Sequence, residues 1–129
     1  LSIQGKKGER TLAKVLIVED EPGITLVLTQ LLLEHGHDVA SAPNGRRGFQ
    51  LLQQQVPDIT FVDLHMPEMD GRTLVELMQT DVKLRHIPVV IMTGSLLHAD
   101  ILPPWGSFRA VLRKPFDLAD VLCCVEAMA

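Results

Sequence analysis

Short apolar runs alternate along this chain with longer stretches whose apolar residues recur every three to four positions, the signatures of strands and helices respectively. Residues 13–18 (AKVLIV) predict a buried strand by length and β-branching. Pro22 then stands where a first helical turn tolerates proline, and Ile24, Val27, Leu28 and Leu31 follow at helical spacing until Gly36 closes the helix. A second strand is expected over 37–41. Asn44-Gly45 turns into a helix over 46–54 that carries Phe49, Leu51 and Leu52. The third strand falls at 58–62 (DITFV), the third helix at 71–80 and the fourth strand at 87–92 (IPVVIM). A fourth helix over 96–102 must stop at Pro103-Pro104. Residues 109–112 supply a fifth strand, and a last helix follows Pro115 with Leu118, Val121, Leu122 and Val125 on one face.

Five strands alternating with five helices imply an α/β fold, a parallel sheet covered on both faces. Right-handed crossovers leave few topologies open. In open sheets of this kind ligands bind beyond the carboxyl ends of the strands. The 129 residues make one domain, with residues 1–10 (LSIQGKKGER) read as a flexible lead-in or linker and 11–129 as the folded unit.

Composition narrows the partners. Charged residues are 22% and the net charge is -4, which argues against a nucleic-acid surface. Aromatics are only 4%, so the core is aliphatic. The longest apolar runs are too short for membrane insertion. The two cysteines, Cys123 and Cys124, are neighbours and form no disulfide framework, in keeping with a cytoplasmic protein. One of the pair is expected to pack as a small hydrophobe.

The candidate chemistry stands at the strand ends. Glu19, Asp20 and Glu21 follow the first strand, Asp63 the third, Thr93 the fourth and Lys114 the fifth. Any one of them alone is an ordinary polar loop residue. Together they crowd carboxylates on one rim, where two unit charges roughly 4 Å apart repel by about 4 kcal/mol at an effective dielectric near 20. A proton or a cation must relieve that repulsion, and an all-oxygen site suits Mg²⁺. A carboxylate such as Asp63 can serve as a phosphoryl-accepting nucleophile. Lys114 and Thr93 would then pair with the transferred group.

VLIVEDEP, DITFVDLHMPEMDG, VVIMTGS and LRKPF, in that order, resemble the signatures of response-regulator receiver domains of two-component phosphorelays. The resemblance runs from residue 13 to about 128. It implies a flavodoxin-like (βα)5 three-layer sandwich with strand order 2-1-3-4-5. It implies Asp63 as phosphoacceptor, Asp20 as a direct Mg²⁺ ligand with Glu19 beside it, and the His65 backbone carbonyl in the metal shell. Thr93 and Lys114 match the hydroxyl and lysine that follow the phosphoryl group, and Lys114-Pro115 matches a cis bond. The implied donor is a histidine kinase or histidine phosphotransfer protein. The implied output is a switched face read by a partner or a fused domain. A signalling module of this kind is not a conventional turnover enzyme.

Two departures from the pattern stand out. Val111 occupies the position three before the lysine where strongly switching members place Tyr or Phe, and the fourth helix is short. Both lend some weight to a second reading, a binding module that keeps the fold without the chemistry. A third reading, a Mg²⁺-dependent phosphohydrolase with an aspartyl-phosphate intermediate, ranks low. That chemistry needs a second Asp two residues after the nucleophile, where His65 stands.

Overall fold

The computed structural model describes residues 12–94 and 101–129. Strands β1 (Lys14–Val18), β2 (Asp38–Ala42), β3 (Ile59–Asp63), β4 (Val89–Thr93) and β5 (Ala110–Arg113) form one parallel sheet in the order β2-β1-β3-β4-β5. Four helices accompany them among the described residues: α1 (Pro22–Glu34), α2 (Gly45–Gln54), α3 (Gly71–Gln79) and α4 (Leu118–Met128). The helix expected over 96–102 falls on residues 95–100, outside the described residues, and 101–102 form a turn and bend. The lead-in expected over 1–10 lies outside them too.

The central strands β3 and β4 are buried along their whole length, which is why ITFVD and VVIMT read as continuous runs without alternation. The edge strand β2 (DVASA) is mostly exposed and correspondingly polar. The sheet divides the apolar interior in two. Val15, Ile17, Ile59, Phe61, Val90, Met92 and Leu112 point toward α1 and α4, meeting Leu28, Leu32, Val121, Cys124 and Val125. Leu16, Val18, Val62, Val89 and Ile91 point the other way, meeting Leu52, Leu74, Val75 and Met78 of α2 and α3. Each fully buried aliphatic side chain of this kind stabilises the fold by roughly 1.5–3 kcal/mol. Of the two cysteines, Cys124 is the one that packs inward and Cys123 is exposed. Val111, at the departure position, is half-buried and packs on the α2/α3 side with Phe108.

Local signals set the helix ends. Asn44 accepts from the Arg47 amide at 2.8 Å to cap α2, and Asp70 accepts from the Thr73 amide at 2.8 Å to cap α3. Gly36 closes α1 with φ 87°, a left-handed conformation that costs glycine little. His37 Nδ1 accepts the Ala13 amide at 3.1 Å and ties the entry of β1 to the segment between α1 and β2.

Candidate functional site

The expected strands begin one or two residues early, and all but the first also end one residue early. Asp63 and Thr93 are the last residues of β3 and β4 rather than the first beyond them. Both are therefore buried, at 4% and 0% exposure, and held by ladder geometry instead of loop geometry. Asp63 stands opposite Met92 in the β3–β4 register, so Thr93 lies one residue further along the neighbouring strand. Glu19 follows β1 and extends it, its amide donating to the Ala42 carbonyl at 3.0 Å. Lys114 follows β5, its amide donating to the Thr93 carbonyl at 2.8 Å. The Lys114-Pro115 bond is cis, as the resemblance implied. Parallel pairing thus delivers four separate segments of sequence to one rim.

At that rim Lys114 Nζ lies 2.9 Å from Glu19 Oε1, 3.0 Å from Glu21 Oε1 and 3.4 Å from Asp63 Oδ2. Burial alone would lower the Lys114 pKa, but its contacts with Glu19 and Glu21 and the attraction of Asp63 and Glu19 raise it above the ordinary lysine range. The ammonium is a fixed positive charge. Burial pushes the Glu19 carboxyl up to about 7, with Lys114 opposing and the Asp63 charge adding to the rise. Burial also raises Asp63, assisted by Asp20 and opposed by Lys114, Glu19 and the His65 backbone amide. Three carboxylates face one ammonium, with Asp20 beside them, and the two buried ones, Glu19 and Asp63, resist ionisation.

The donor set fits a hard divalent cation. One carboxylate oxygen each from Glu19, Asp20 and Glu21 lie within 4.8 Å of one another, and the Asp63 carboxylate is close enough to feel both Glu19 and Asp20. The fully buried Glu19 Oε1 has the lysine near it as a charge but makes no aligned hydrogen bond. A buried carboxylate oxygen that shares one ammonium with two other carboxylates, beside a further acidic residue, is what a hard cation such as Mg²⁺ would satisfy.

One glycine makes room for this arrangement. A Cβ on Gly71 would lie 2.2 Å from the Asp63 carbonyl oxygen and 2.9 Å from Val62 Cγ1, so the start of α3 rests against the backbone of β3. Gly71→Ala should therefore cost about 1–3 kcal/mol despite the better helix propensity of alanine, because backbone must move. A lowered urea midpoint at unchanged m would register it; an unaltered midpoint would mean that α3 can ride outward freely.

A model of the response regulator receiver domain matches residues 15–125, nearly the whole of the described chain. The chain belongs to this family. Receiver domains are signalling modules of two-component systems, not conventional turnover enzymes, and histidine kinases are their partners. The chain is 34% identical over 120 residues to the protein PilH of Pseudomonas aeruginosa, covering 91% of this chain and 98% of PilH. Other curated relatives are longer, the chain spanning 48% of one and 7% of another. Among solved structures, the receiver domain of a signal transduction histidine kinase from Syntrophus aciditrophicus superposes with TM-score 0.82 at 29% identity, covering 90% of this chain and 89% of that one. The receiver domain of the sensor histidine kinase PA1611 from Pseudomonas aeruginosa, solved with magnesium in its active site cleft, shares the fold with TM-score 0.82 at 22% identity, covering 92% of this chain and 98% of that one. Among the described residues no helix is long and apolar enough to cross a membrane.

Sequence reasoning found every charged group at the rim but gave Glu21 no role. Its pairing with Lys114 joins residues 93 apart in the chain, and no local pattern announces such a partnership. His65, named for its carbonyl, is exposed, and its amide is the group seen to bond the Asp63 carboxylate.

Proposed function

We propose that this receiver domain accepts a phosphoryl group on Asp63 from a histidine kinase or histidine phosphotransfer protein in a Mg²⁺-dependent reaction, and that the modification switches a face read by an output partner or fused domain. The observation that supports it best is the placing of a buried Asp63 carboxylate 3.4 Å from the Lys114 ammonium, on a rim rich in further carboxylates.

In this reading an Asp63 oxygen attacks phosphorus, a new O–P bond forms, and the bond from phosphorus to the donor nitrogen breaks with its electron pair leaving on the donor imidazole. Lys114 supplies a charge for the phosphoryl oxygens, and the Thr93 hydroxyl a hydrogen bond. Asp20, Asp63 and the His65 carbonyl would hold Mg²⁺, with Glu19 beside them. Once bound, the ion would offset the negative charge gathered at the transferred group. The work of the chain is positioning and charge neutralisation. Residues 11–129 form the receiver unit in this reading, with 1–10 as a lead-in, and the setting is the cytoplasm.

Incubation with acetyl phosphate and Mg²⁺, followed by intact-mass measurement, should give one phosphoryl adduct per chain that a chelator prevents. Failure to label, joined by failure to bind beryllofluoride with Mg²⁺, would overturn the reading and leave the fold as a binding module.

A further inference from the structure

Glu21 is the N-cap residue of α1, yet its side chain does not cap the helix. An N-cap side chain ordinarily accepts a backbone amide of the first turn. Here the Ile24 amide, at the third helical position, already donates to the Glu21 carbonyl at 3.1 Å, as does the Thr25 amide. The carboxylate instead reaches across the rim to Lys114 Nζ at 3.0 Å. Its amide donates to Glu19 Oε2 at 3.1 Å, so Glu19 fixes the backbone from which Glu21 extends. Lys114 is in consequence closer to two glutamates than to Asp63, whose oxygen is the most distant of the three at 3.4 Å.

The two glutamates differ in kind. Glu19 is fully buried and cannot leave, whereas the Glu21 side chain is 61% exposed. Water can replace the lysine around Glu21 at small cost, which makes this pairing the weak member of the set. Glu21 and Lys114 also both line a groove of about 500 Å³ between α1 and the start of α4, together with Val27, Phe116 and Leu118.

We infer that Glu21 is a positioning residue that holds Lys114 in a resting place and competes with the phosphoryl group for its ammonium. The inference rests on Asp63 being the phosphoacceptor. A phosphoryl group presents more charge and more acceptor oxygens than one solvated carboxylate, so it wins the lysine, but against a fixed opposing attraction. Glu21 thereby lowers the affinity of the unmodified site for a phosphoryl mimic without touching the reacting atoms.

The test is beryllofluoride affinity at saturating Mg²⁺ for the wild type, Glu21→Gln, Glu21→Asp and Lys114→Met, and for the double variant Glu21→Gln/Lys114→Met. Glu21→Gln should bind about two- to five-fold more tightly than wild type, the range expected for release of one exposed charge pair. In the Lys114→Met background the same substitution should change affinity little, because the effect acts through the lysine. Glu21→Asp, with its charge retained and its reach shortened, should fall between wild type and Glu21→Gln. Weaker binding by Glu21→Gln, with a matching loss of Mg²⁺ affinity by calorimetry, would overturn the inference and make Glu21 a metal ligand. An equal gain with and without Lys114 would overturn it in favour of general charge repulsion. If the wild type binds no beryllofluoride, the phosphoacceptor reading fails and this one with it; if it binds and Glu21→Gln matches it, only this one fails.

Discussion

Asp63→Asn should abolish phosphoryl labelling by acetyl phosphate while leaving the fold at least as stable as the wild type. The substitution keeps shape and volume but replaces an anionic oxygen with an amide, which is not a competent nucleophile toward phosphorus. Labelling should vanish entirely rather than slow, since neighbouring carboxylates do not share the position of Asp63 at the end of β3. The stability half of the expectation comes from the same site. Burial raises the Asp63 pKa despite Lys114, so its ionised form is unfavourable where it stands. Its ion pair with Lys114 is also the longest of the three that the lysine makes, so removing that charge sacrifices little. Intact mass and a thermal melt, both in Mg²⁺, check the two halves together. A labelled Asp63→Asn protein would place the acceptor elsewhere. A protein that fails to label because it has unfolded would be exposed by the melt.

Lys114→Met should destabilise the Mg²⁺-free protein by about 3 kcal/mol near pH 8, the low end of what removing one partner from a buried charge pair costs. Glu19 is fully buried and Asp63 nearly so, and among the described residues Lys114 is the cation that pairs with both. The loss should shrink toward pH 5, and the sign follows from the shifts. In the wild type the Glu19 carboxyl is raised to about 7 with Lys114 pulling it down, so removing the lysine sends it higher. A carboxyl raised in the folded state stabilises the fold when protonated, and that contribution disappears as pH climbs through the folded pKa. The variant therefore suffers most above pH 7 and least where Glu19 keeps its proton. Urea unfolding at pH 5 and pH 8 measures it, and added Mg²⁺ should recover part of the deficit at pH 8. An equal loss at both pH values would mean that the lysine acts through the packing of its methylenes.

Much of the fold was legible because the sheet is parallel and two-sided: DITFV and IPVVIM stand out as continuous apolar runs, and Pro22, Gly36 and the Asn44-Gly45 turn mark helix ends. The strand ends were misplaced for one reason. Hydrophobicity stops at Val62 and Met92, but the backbone ladder runs on to Asp63 and Thr93, and polar residues enter a buried strand when the site needs them there. Burial of those two groups was consequently not foreseen. Nor does helical periodicity tell which apolar side chains of α1 turn inward. Leu28 and Leu32 are fully buried while Leu26, Val27 and Leu33 are about half exposed. The Glu21–Lys114 pairing was out of reach because it depends on where the end of β5 arrives beside the start of α1, a tertiary fact.

A sheet roofed on both sides is also a partition, and the alternation of its strands assigns each group at the rim to one compartment or the other. Asp63 is in phase with Ile59 and Phe61, on the side of α1 and α4, whereas Thr93 is in phase with Val89 and Ile91, on the side of α2 and α3. Within the sheet these two compartments are screened from each other by strand backbone. A hydroxyl drawn from one side toward a charge seated on the other would carry the message around the edge of that screen. If Asp63 is the acceptor, the carboxyl rim is also the joint through which a single added charge would be felt in both halves of the interior.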